Sequence, residues 1–177
     1  MNVKLNVMIG AGLVSTLLAI GCASNPANLS QEKAVPAIDA SAGVGLAGYD
    51  AVAYFTDHKP VRGSDAYTRQ WQGVTWKFGS AEHRDVFAAD PERYAPQYGG
   101  YCAYAVANGT TAHGDPLQWA VVNERLFVNN NALAKLLWDR DRPGNIKAGD
   151  ENWPLIPKYL NQLQSAATSS GGRTGSR

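Results

Sequence analysis

The chain has 177 residues, the length of one domain with appendages. Hydrophobic residues make up 45% and charged residues 18%, which supports a folded core and excludes global disorder. With 16 Lys and Arg against 15 Asp and Glu the net charge is +1, so no nucleic-acid partner is expected, and 2 Cys exclude a disulfide scaffold or a four-thiolate zinc site.

Residues 1–6 carry one positive charge, Lys4, ahead of an apolar run over 7–20. That run is short for a bilayer span and has the length of a secretory hydrophobic region. It ends in Leu18-Ala19-Ile20-Gly21-Cys22, which resembles a bacterial lipoprotein box with Cys22 as the lipidated first mature residue. The alternative is an ordinary cleaved signal peptide in which Cys22 is incidental. Ala23, where Asp would favour inner-membrane retention, points to the outer membrane. The expectation is a signal peptide over 1–21 and an exported protein. It would be held to the membrane through Cys22, as an outer-membrane lipoprotein facing the periplasm.

Residues 22–47 are rich in Ala, Ser, Asn and Pro, lack aromatics and show no period, which predicts a flexible tether. Residues 165–177 are Gly/Ser-rich without a large apolar side chain, which predicts a disordered tail. The folded part is expected over 48–164, which holds all 5 Trp, 8 Tyr and 4 Phe.

Within it, 66–71 and 74–78 read as strands either side of a Gln72-Gly73 turn. Ser80 stands where an N-cap belongs, so a helix should start near Ala81 and end at Asp90-Pro91. A short turn over 91–94 follows. A second hairpin is predicted from 118–122 and 125–128 around Asn123-Glu124. Asn130 or Asn131 then caps a helix over 132–138 whose Leu133, Leu136 and Leu137 are expected to pack inward. A last amphipathic helix is predicted over 155–163. Setting Gly73 against Glu124 aligns Trp76 with Phe127, Ser80 with Asn131, Phe87 with Trp138 and Asp90 with Asp141. This is either an internal duplication or a coincidence of similar motifs. The fold class is α+β: small antiparallel hairpins packed with short helices, with two hairpin-helix units as one arrangement of it.

Four motifs occur in series: Gly48-Tyr49-Asp50-Ala51-Val52-Ala53-Tyr54-Phe55, Trp76-Lys77-Phe78-Gly79-Ser80, Phe87-Ala88-Ala89-Asp90-Pro91-Glu92-Arg93-Tyr94 and Tyr98-Gly99-Gly100-Tyr101-Cys102-Ala103. In these, and in Asp115-Pro116, Trp119, 126–129 and Trp153-Pro154, the chain resembles the YHS domain family, in its exported bacterial branch. The resemblance implies a hairpin-and-helix unit related to treble-clef metal modules, in relatives that accompany heavy-metal P-type ATPases. Metal-binding members carry cysteines where this chain has Ala53, Gly79 and His83. His83 is therefore the one residue of ligand type at a matching place.

Cys102 lies in an aromatic, glycine-rich stretch whose glycines suit a tight turn or a close approach. With His83 or His113 it could form a soft-metal site for copper or zinc; the alternative is a buried cysteine acting as a small hydrophobe. A disulfide to Cys22 would require that Cys22 escape lipidation. Asp50 is placed to cap backbone donors of its own loop, Ser80 to cap the helix, and Tyr101 belongs to the glycine-rich motif. No carboxylate pair, P-loop or dinucleotide fingerprint stands out, and no thiol-hydrolase signature surrounds Cys102. The expected function is a non-enzymatic, lipid-anchored envelope module with heavy-metal, preferably copper, handling. The alternative is a structural or protein-interaction envelope protein without a metal site. A thiol enzyme is the third.

Overall fold

The computed structural model describes residues 37–156, all within one compact unit of the chain. The signal segment, Cys22, most of the tether, all but the start of the helix predicted over 155–163, and the tail lie outside the described residues. The elements in chain order are α1 (Ala53–Thr56), β1 (Ser64–Trp71), β2 (Val74–Phe78), α2 (Ala81–Ala89), α3 (Pro91–Tyr94), α4 (Ala103–Ala107), β3 (Asp115–Val122), β4 (Arg125–Asn129), α5 (Ala132–Arg140) and α6 (Arg142–Asn152). It is a small α+β domain of two antiparallel hairpins, β1-β2 and β3-β4, with short helices.

Each hairpin closes through two residues with positive φ: Gln72 (48°) with Gly73 (74°), and Asn123 (50°) with Glu124 (58°). Such turns have the twist that paired strands require. α2 starts after the Ser80 cap read from the sequence, and α5 after Asn131, one of the two cap candidates Asn130 and Asn131. The Ser80 side chain accepts from His83 N at 3.1 Å and the Asn131 side chain from Ala134 N at 2.9 Å.

The two halves repeat one plan. The strands and helices β1, β2 and α2 recur as β3, β4 and α5 with a constant offset of 51 residues. Both hairpins carry the same irregularity, between Ser64 and Thr68 and between Asp115 and Trp119. Turns with positive φ at Leu46-Ala47 and at Tyr98-Gly99 precede the two halves. The backbone links Asp50 N→Val61 O (2.8 Å) and Cys102 N→Ala112 O (2.9 Å) correspond as well. Asp50 and Cys102 thus hold equivalent places.

Two apolar clusters form, one per half. In the first, Trp76, Phe78 and Phe87 are buried with Val52 and Tyr54; in the second, Phe127 and Trp138 are buried with Tyr98 and Val106. Each fully buried aromatic side chain contributes roughly 1.5–3 kcal/mol. Successive side chains of a strand point to opposite faces. Accordingly Leu126 and Val128 of β4 enter the first cluster and Phe127 the second, so β4 is the partition shared by both.

Three expectations need correction. The folded body begins before residue 48: Ile38 and Leu46 are buried in the first cluster, and Asp39 N donates to Gly99 O at 2.8 Å. Gly99 permits this docking, having φ of 62° and no side chain to strike the Ala37 carbonyl. Leu133 and Leu136 are exposed rather than packed inward. Trp138, wholly buried against Phe127, fixes the inward face of α5. At about 100° per residue Leu136 lies about 200° round the helix from it, and Leu133 about 140°. Finally, α6 was not expected over 142–152. Pro143 and Gly144 disfavour a helix interior, but proline is tolerated in a first turn and the Asp141 side chain accepts from Gly144 N at 2.9 Å.

Candidate functional site

Asp50 is fully buried, and its carboxylate is filled by four donors. Oδ1 accepts from Val52 N at 2.9 Å and Ala53 N at 3.3 Å; Oδ2 accepts from Gly79 N at 2.8 Å and lies 2.7 Å from His83 Nδ1. The loop-capping role read from the sequence is present, and it extends to the β2–α2 turn and to α2. Since the carboxylate only accepts, the imidazole proton facing it is on Nδ1. Nε2 lies 3.3 Å from Thr56 Oγ1, and that hydroxyl lies 2.8 Å from Asp57 Oδ1. The order carboxylate, imidazole, hydroxyl has the form of a nucleophile relay. The Thr56 hydroxyl has three acceptors in reach: Asp57 Oδ1, the Val52 carbonyl at 3.3 Å and Nε2 of a neutral His83. The array lines neither of the clefts described below. It works as a clasp joining α1, β2 and α2.

The metal-ligand candidates each have their own partner. His83 is on Asp50; His113 Nδ1 lies 3.0 Å from Asp39 Oδ1, whose other oxygen accepts from Gly114 N at 3.1 Å. Cys102 is 2% exposed, and its Sγ lies 3.8 Å from Asn129 Oδ1. Among the described residues no three His, Cys, Asp or Glu side chains are grouped as a metal site. Tyr101 is buried, pairs its backbone with His113 and packs on Trp153 with 5.7 Å between ring centroids. Burial pushes its phenol above the ordinary tyrosine range.

A cleft of about 330 Å³ lies where the two halves meet. The first half supplies Trp71, Gln72, Trp76 and Glu92, the second Tyr98, Arg125, Asp150 and Trp153. Its floor is one hydrogen-bonded network. Arg125 donates to both Asp150 oxygens at 2.6 and 3.0 Å and through Nε to Gln97 Oε1 at 2.9 Å. The Tyr98 hydroxyl reaches Asp150 Oδ1 at 2.9 Å and the Ile146 carbonyl at 3.2 Å. Bidentate guanidinium–carboxylate pairing fixes both groups in plane. A second groove, of about 480 Å³, lies at the equivalent place of the second half: Val122, Asn123, Pro143 and Ile146 stand where the first cleft has Trp71, Gln72, Glu92 and Ala95. It has no aromatic wall.

The hydrogen bonds of Arg125 hold the Asp150 carboxyl below the usual range, against a smaller opposing effect of burial. Burial first, then Asp150, pushes the Tyr98 phenol well above its ordinary value. The signs give a pH window. The ionised Asp150 stabilises the fold above the unfolded carboxyl value near 3.9, and this is lost as pH falls through the depressed folded value. The neutral Tyr98 contributes below its unfolded value near 10, and this is lost as pH rises beyond it. Urea midpoints measured against pH should therefore fall on both flanks. Asp150→Asn should flatten the acid flank and Tyr98→Phe the alkaline one. Unaltered flanks in both variants would show that the network does not support the fold.

Of the cleft residues, Trp71, Gln72, Trp76, Glu92, Tyr98, Gly99 and Trp153 belong to elements or motifs noted in the sequence, and none for this role. Gln97, Arg125 and Asp150 carry no local signal, because pairing at separations of 25 and 28 residues exists only in the folded chain. Searches of family models, curated proteins and solved structures found no match to this chain.

Proposed function

We propose that this chain is an exported interaction module of the cell envelope, anchored through Cys22. It engages its partner at the cleft between its halves without metal or covalent chemistry. The preformed Gln97–Arg125–Asp150–Tyr98 network beneath Trp71 and Trp153 carries this reading. Binding sites are concave, aromatic-lined and furnished with a few fixed polar groups, and this cleft has all three features. The dispersal of Cys102, His83 and His113 onto separate partners supports a module without a copper or zinc site. The export and anchor rest on the 18–22 run, and a YHS-like, treble-clef-related kinship on the motifs quoted above.

Native mass spectrometry of the full chain, with Cu(I) or Zn(II) added anaerobically, tests the metal-free reading. The expected spectrum shows no one-to-one metal complex dependent on Cys102. A stoichiometric complex that disappears in Cys102→Ala would restore the metal-handling reading. A benzophenone cross-linker placed at Gln72 should capture the partner in the envelope, and one at Leu136, outside the cleft, should not.

A further inference from the structure

We propose that the cleft between the two halves is a saccharide site, taking a neutral sugar of one or two pyranose rings. This deepens the binding-module reading and rests on it.

The walls and the polar groups point the same way. Trp71, half-buried at the end of β1, and Trp153, half-buried beyond α6, come from opposite halves and line one cleft. Partly buried indoles lining a cleft are suited to the flat C–H faces of a pyranose, which are apolar although the ring's edge is hydroxylated. Around them stand the groups that hydroxyls need: the Gln72 and Gln97 amides and the Glu92 and Asp150 carboxylates. The volume of about 330 Å³ is near the lower end of ligand pockets, roughly 300–1,000 Å³, which suits one or two rings.

Charge narrows the ligand class. Arg125, the one cation among the lining residues, is paired in bidentate fashion with Asp150 and gives three of its five N–H donors to Asp150 and Gln97. Asp150 balances its charge and Glu92 adds a second carboxylate, so the lining carries a net charge of −1 and disfavours phosphates and other anions. The floor is also fixed before binding, since Arg125, Asp150, Gln97 and Tyr98 hold one another, and a ligand need not order them.

The duplicated plan provides an internal comparison. At the equivalent groove of the second half Val122 replaces Trp71, Pro143 replaces Glu92, and charged Arg142, Lys147 and Glu151 line the wall. The indole of Trp71 and the carboxylate of Glu92 are thus not demanded by the repeated fold at these two places, and the second groove has no indole in its lining.

The test titrates the full chain with N,N′-diacetylchitobiose, cellobiose and maltose by calorimetry and intrinsic fluorescence. At least one should bind saturably at one site with millimolar affinity or better. Trp71→Ala should weaken it about tenfold or more. As Trp71 also packs on Trp76 and Phe87, the exposed Glu92→Gln and Gln72→Ala provide the variants that keep the fold; they should weaken binding severalfold. Leu133→Ala, exposed on α5, should leave it unchanged. No saturable binding of any of the three sugars, or equal affinity in the three cleft variants, overturns the saccharide assignment. Should the Gln72 cross-link to an envelope partner persist in that case, the ligand class fails and the binding-module reading stands.

Discussion

Asp50→Ala should lower the unfolding free energy by about 3–5 kcal/mol, the range for breaking a buried charged network. The side chain is wholly buried, and its removal strips the acceptor from three backbone N–H groups, of Val52, Ala53 and Gly79, and from His83. An unsatisfied buried donor costs about 1–3 kcal/mol, and relaxation of the loop offsets part of the sum. The equivalent place in the second half is Cys102, whose thiol has one weak contact at 3.8 Å. There Asn129 takes over part of the task, accepting from Tyr104 N at 3.1 Å. Cys102→Ala should accordingly cost only about 1 kcal/mol, the loss of a small buried group. Urea denaturation of both variants provides the comparison. Equal losses would show that Asp50 is not the clasp of the first half.

The second large effect concerns the exchanged aromatic pairs. In the first half the hairpin contributes Trp76 and the helix Phe87, with centroids 5.2 Å apart; in the second the hairpin contributes Phe127 and the helix Trp138, 5.3 Å apart. Each half therefore places one indole and one phenyl at equivalent positions, in opposite order, and total volume is kept. Trp76→Phe alone should open a void and cost about 2 kcal/mol; Phe87→Trp alone should overpack and cost about 1–3 kcal/mol. Together they reproduce the pairing of the second half. The double variant should recover at least about 1 kcal/mol relative to the sum of the singles, within the range for residues in contact. Strict additivity in a double-mutant cycle would contradict this view of the core.

The features legible in the sequence were those fixed by neighbours along the chain. Both hairpin turns, the Ser80 and Asn131 caps and the break at Asp90-Pro91 depend on a few adjacent residues. The aligned positions of Trp76 with Phe127 and Phe87 with Trp138 have their counterpart in the repeated elements. What escaped depends on distant packing. Leu133 and Leu136 looked like a core stripe, yet Trp138 takes the inward face and leaves them in water. α6 escaped because a side-chain cap outweighs the breakers near its start. The partners of His83, His113 and Cys102 are 33, 74 and 27 residues away, so no spacing rule could pair them. The cleft network arises in the same way, from second-half residues paired across separations of 25, 28 and 52 residues.

The 5 tryptophans offer the most direct test of the claim that the junction of the halves is the binding face. Trp71, Trp76 and Trp153 line the cleft, whereas Trp119 and Trp138 do not. In a nitrogen–proton NMR titration with the tightest-binding of the three disaccharides, the indole signals of Trp71, Trp76 and Trp153 should move with a common saturation curve while those of Trp119 and Trp138 stay fixed. Three stationary cleft indoles, or movement centred on Trp119 and Trp138, would contradict the account.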